Sequence, residues 1–167
     1  MSDSLIIKTP EGRKYELVSA GPHQAVCVDV IDYGIEDTGY KDSNGDSIEK
    51  WRCQLVFEVE EPLEADPETR KTIRTKKLTV STHEKATLHG ILVAWLGREL
   101  TRAEKQSFDT KVLLGKPARI EVIQAKDKQE PDKTWANIAL VLPTDSPIEP
   151  SGDYKRVKVE KGMKAPF

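Results

Sequence analysis

At 167 residues, with 37% hydrophobic and 32% charged residues, the chain suits one domain with a proper core and long polar loops or a tail. No apolar run approaches the ~20 residues of a membrane span, and the opening MSDSLIIKTPEGRKY lacks the basic start and apolar core of a secretory signal, so a cytoplasmic protein is expected. The net charge of −2 conceals an acidic run (Glu58, Glu60, Glu61, Glu64, Asp66, Glu68), the basic stretch RKTIRTKK behind it, and a net-basic end, DYKRVKVEKGMKAPF.

Residues 5–20 read as a short edge element turning at Pro10-Glu11-Gly12. The first strand is HQAVCVDVID, residues 23–32, and a long polar loop, rich in Asp, Ser and Gly, is expected to follow it. In WRCQLVFEVEE, Trp51, Cys53, Leu55, Phe57 and Val59 alternate with Arg52, Gln54, Val56 and Glu58. Such period-two alternation predicts a half-buried strand with a wet outer face. A third strand, KTIRTKKLTVST, turns Leu78 and Val80 inward.

The period then changes. Ser81 and Glu84 have the form of a capping box, followed by an apolar helical stripe of Leu88, Ile91, Leu92, Trp95 and Leu96 that Gly97 ends. Thr101 and Glu104 start a second, short helix whose Phe108 packs inward. Beyond Gly115, KPARIEVIQAKD is a fourth strand with Ala118, Ile120 and Val122 on one face, and TWANIALVLP is a fifth. Three strands, a helix and two strands is the element order of a five-stranded OB-fold, a Greek-key barrel whose helical connector joins strands three and four. The domain is expected over residues 1–145, with 146–167 a flexible basic tail. Another small barrel or a β-sandwich is the competing architecture.

The fragments WLGRELTRAEKQSFDTKVLLGKPARIEV and WANIALVLP resemble bacteriophage and prophage OB-fold single-stranded DNA-binding proteins over about residues 23–143. The resemblance implies a role in phage DNA replication or recombination within the host cytoplasm. Proteins of this kind commonly end in an acidic tail closed by phenylalanine. Here Pro166-Phe167 closes a basic segment with Lys155, Arg156, Lys158, Lys161 and Lys164, which departs from that pattern.

Binding a single strand takes cations along the phosphates and flat groups under the bases. An OB groove crosses strands two and three between two loop walls. Arg52 and Gln54 on strand two, and Arg70, Lys71, Arg74, Lys76 and Lys77 on the arm and strand three, fall there. Tyr33 and Tyr40 lie in the first wall; Lys126, Lys128, Lys133 and Trp135 lie in or beside the second. The basic run also reads as cross-hairpin charge pairing against the acidic one. Trp51 and Trp95 read as core.

The sequence carries no enzyme signature. LLGKPA lacks phosphate-loop spacing, and His23, His83 and His89 are scattered. Cys27 and Cys53 read as reduced, buried thiols. Asp42, Asn44 and Asp46 superficially look like a calcium loop, but Gly45 is misplaced for one. No cofactor, metal or membrane partner is expected. The expected partners are single-stranded DNA, replication or recombination proteins, and further copies of the chain. The alternative is an OB-like protein–protein interaction module that scaffolds such proteins.

Overall fold

The structure is a computed structural model describing residues 16–81, 83, 86–130 and 132–157. The first part of the expected edge element, residues 5–15, lies outside these. The framework is a long antiparallel hairpin of β1 (Gly21–Lys41) and β2 (Ser47–Pro62). Ala25 faces Val59, Cys27 faces Phe57 and Val30 faces Leu55 across it, which sets the apolar alternation of both strands toward one core.

The polar loop expected after residue 32 is instead the outer part of this hairpin. Ile35 pairs with Trp51 and Lys41 with Ser47. Asp42 closes the turn, its carboxylate accepting from the N–H groups of Asn44 and Asp46 at 2.9 and 3.0 Å. Among the described residues, nothing covers either face of the ribbon near its tip, where residues 39–47 are all exposed. The hydrophobic alternation that betrays a strand is therefore missing.

The single third strand expected is two, β3 (Arg70–Arg74) and β4 (Leu78–Thr79), both paired with β2. Arg74 lies opposite Val56 and Leu78 opposite Cys53, so one extra residue bulges between them. Thr75 holds the bulge, its N–H donating to Leu55 O at 2.9 Å and its hydroxyl accepting from Leu55 N–H at 3.1 Å. With β5 (Pro117–Lys126) and β6 (Thr134–Leu142) the result is a six-stranded antiparallel sheet in the order β3-β2-β1-β5-β6, with β4 on β2. It replaces the expected five-stranded barrel, and no ladder joins β3 to β6.

The helical connector lies between β4 and β5. Helix α1 (Thr87–Leu96) buries Leu88, Leu92 and Trp95, and Gly97 ends it in the left-handed region with φ 73°. The box expected at Ser81 and Glu84 does not cap it. The N-cap is Ala86 with no side-chain bond, Ser81 Oγ accepts from His83 N–H at 3.1 Å, and Glu84 lies outside the described residues. Helix α2 (Arg102–Gln106) does open on the Thr101/Glu104 capping box. A 3-10 turn (Thr110–Leu113) then delivers Gly115, whose N–H donates to Cys27 O at 2.7 Å before β5 begins. Gly115 adopts φ 80°, which a side chain would strain.

Trp95 sits in the core, 1% exposed, with its ring tilted 59° against Phe57 at 5.3 Å and its Nε1 donating to Pro117 O at 2.9 Å. Truncating such a residue to alanine costs about 3–5 kcal/mol. Both cysteines are buried and unbridged, and burial pushes the thiols of Cys27 and Cys53 up to about 12 and about 11.

Beyond β6, residues 149–157 cross back over the outer side of the β1–β2 hairpin. Glu149 O accepts from Arg70 at 2.7 Å, and Ser151 donates to the Glu58 carboxylate through N–H at 2.8 Å and hydroxyl at 2.7 Å. The Asp29 carboxylate, 0% exposed, accepts from Tyr154 OH at 3.0 Å, Arg156 Nε at 3.0 Å and Val157 N–H at 2.8 Å. Burial, and then its bond to Asp29, pushes the Tyr154 phenol up to about 12, so it stays a donor at neutral pH.

Candidate nucleic-acid interface

The side chains of Lys50, Arg52, Gln54, Val56 and Glu58 fall by alternation on the outer face of β2. This face divides in two. At the Glu58 end, Val56 and Glu58 are buried, Glu58 to 2%, although the alternation marks them as wet. The expectation of a solvated face fails there because the chain's own residues 149–157 bind the carboxylates on it. A carboxylate removed from water needs such donors.

At the other end the face is open. Arg52 is half-buried, and its Nε is shielded from water without a hydrogen-bond partner among the described residues. Gln54 is fixed from both sides: its Oε1 accepts from Tyr33 OH and its Nε2 donates to Thr75 O at 2.8 Å. Lys77 Nζ lies 4.3 Å from the centre of the Tyr33 ring, a cation–π contact, and pairs with Glu36 at 3.0 Å.

Beside Gln54, the unladdered margin between β3 and β6 forms a cleft of about 250 Å³. Gln54, Arg74, Lys76 and Trp135 line it. The cleft thus brings the cations of the strand-three arm to an aromatic residue of the β5–β6 wall. Trp135 is 49% exposed and held by its Nε1, which donates to Asp127 at 3.0 Å. That bond, with backbone N–H groups of Gln129 and Glu130, holds the Asp127 carboxyl below its ordinary range. Arg74 and Lys76 are exposed and, like Arg52, have no ion pair among the described residues.

The other sequence candidates are placed elsewhere. Arg70 is paired with Glu58 at 3.0 Å. Lys71 is buried, its Nζ donating to Leu17 O at 2.9 Å and to the Glu61 carboxylate. Partial burial works to raise the Glu61 carboxyl, but Lys71 together with the hydroxyl and N–H of Ser19 outweighs it and holds Glu61 at about 2. For these two cations, cross-hairpin pairing is the arrangement found. Lys126 lies opposite Thr134 at the far end of the β5–β6 hairpin, and Lys133 pairs with Glu130 at 2.8 Å. Tyr40 is 73% exposed near the tip of the β1–β2 ribbon.

Sequence reading missed Asp29 and Glu58 as anchors. A lone aspartate inside the valine-rich CVDV was the available signal, since a charge in an apolar strand needs a partner. Among the described residues, no cluster of three or more His, Cys, Asp or Glu is arranged to hold a metal, and no helix is long and apolar enough to cross a membrane.

No protein-family model and no curated protein matches this chain.

Proposed function

We propose that the chain is a non-enzymatic, sequence-tolerant single-stranded DNA-binding protein, of the kind phages and prophages use in replication or recombination in the host cytoplasm. Its architecture is read as an OB-fold open along one seam. The order β3-β2-β1-β5-β6, with the helices between β4 and β5, supports this by following OB connectivity up to the missing closing ladder. One observation carries the function: Arg74 and Lys76 share a cleft with Trp135 beside the open face of Arg52, Gln54, Tyr33 and Lys77. Cations without carboxylate partners attract phosphates, and an exposed indole offers a base about 1–3 kcal/mol of stacking.

Fluorescence anisotropy with labelled oligo-dT over a range of salt tests the reading. The plot of log affinity against log salt should fall with a slope of about −0.7 for each phosphate neutralised. Absence of binding at low salt would remove the proposal.

A specific feature favours a second reading, the interaction module. Ile123, Leu140 and Trp135, respectively 52%, 51% and 49% exposed, lie on the β5–β6 ribbon. Exposed apolar residues gathered on one ribbon suit a protein partner or a second copy. Partners captured from infected cells that survive nuclease treatment would favour this reading; partners lost with the nucleic acid favour the first.

A further inference from the structure

At the basic end of β2 the outer face runs into a second concavity, separate from the Trp135 cleft. Lys50, Arg52, Lys77, Thr79, the α1 N-cap Ala86 and the first α1 residue, Thr87, line a pocket of about 460 Å³. Lys77 is balanced by Glu36. Lys50 and Arg52 have no carboxylate partner among the described residues, and the Arg52 Nε is shielded and unbonded. Among the described residues, the pocket therefore holds two positive charges, Lys50 and Arg52, that no carboxylate pairs with.

Its remaining wall agrees with that charge. Helix α1 has no acidic residue in its first turn, and its N-cap, Ala86, makes no side-chain hydrogen bond. The neighbouring hydroxyls of Thr79, Ser81 and Thr87 supply neutral donors. A phosphodiester brings a single negative charge, whereas a phosphate monoester carries about −1.5 to −2 at neutral pH.

We propose that this pocket binds a phosphate monoester, the terminal phosphate of a nucleic-acid strand lying along the β2 face. The ligand's identity rests on the nucleic-acid reading above; the pocket's affinity for phosphate does not. Arg52 serves both the strand and its terminus, while Lys50 serves the terminus alone.

The test uses the full chain. Inorganic phosphate titrated into ¹⁵N-labelled protein should give saturable shifts at Lys50, Arg52, Thr79 and Thr87. Oligo-dT phosphorylated at its 5′ end, at its 3′ end or at neither is then compared by anisotropy. One phosphorylated end should bind about tenfold more tightly than hydroxyl-ended DNA of equal length, the gain of one added set of charge-assisted bonds. Which end gains identifies the strand's direction. Lys50→Gln should abolish the preference and leave hydroxyl-ended DNA bound as before. Equal affinity for all three oligonucleotides, no saturable shift with phosphate, or a preference that survives Lys50→Gln would each overturn the proposal. If phosphate shifts these residues but no oligonucleotide binds, the pocket stands as a phosphate site and the nucleic-acid reading falls.

Discussion

The two ends of the β2 outer face differ more than its alternating pattern suggests. Arg52 and Gln54 lie open beside a basic cleft, while Val56 and Glu58, two and four residues beyond Gln54, are buried near the chain's returning C-terminal segment. Alternation decides which side of a sheet a residue takes; it does not decide what lies over that side. At the open end, Arg74 and Lys76 have no ion pair among the described residues and are exposed to water. At the covered end, both buried carboxylates are answered: Glu58 by Arg70 and Ser151, and Asp29 by Tyr154, Arg156 and Val157 N–H. The first arrangement suits a ligand and the second suits stability.

This contrast can be broken by substitutions at each end. The largest expected effect is on binding: reversing Arg52, Arg74 and Lys77 together to Glu should weaken oligo-dT binding by about a hundredfold or more, since each removes a charge-assisted contact. Melting temperature should scarcely move. Anisotropy beside thermal unfolding checks both; affinity preserved in a folded triple variant would refute the open face.

Next in size is a stability effect at the covered end. Asp29→Ala strands three donors and should lower unfolding free energy by about 2–3 kcal/mol, whereas Arg52→Gln should stay within about 0.5 kcal/mol. DNA affinity of Asp29→Ala should be roughly unchanged. Urea titrations showing equal losses at the two positions would erase the distinction.

The smallest effect is on acid stability. Glu61 is held at about 2 against an ordinary 4.5. A depressed carboxyl contributes stability above its unfolded value and loses it as pH falls through its folded one. The loss therefore falls between pH 4.5 and about 2. Lys71→Met should flatten this part of the curve in chemical denaturation at stepped pH; an unchanged acid slope would show that Lys71 is not the partner that matters.

What was legible in the sequence follows from how far apart the deciding groups lie. Gly97 and the Thr101/Glu104 box are contacts within one turn, so local spacing revealed them. The inward sides of β2 and β5 were legible because one continuous core enforces their period. The bulge at Thr75 depends on Leu55, and the burial of Lys71 on Leu17 and Glu61, none of which spacing can bring together. Residues 149–157 carry no hydrophobic period, and their hold on Asp29 spans more than a hundred positions. Of the candidate site, the chemistry of Arg52, Gln54, Arg74, Lys76, Lys77 and Trp135 was legible. Their grouping depended on the missing β3–β6 ladder, which local patterns do not encode.

The most direct measurement is amide and side-chain NMR of the full chain titrated with oligo-dT at low salt. Saturable shifts should concentrate at Tyr33, Arg52, Gln54, Arg74, Lys76, Lys77 and the Trp135 indole, with Ser151 and Tyr154 unmoved. Shifts confined to Ile123 and Leu140, or no saturable shift at all, would contradict the account.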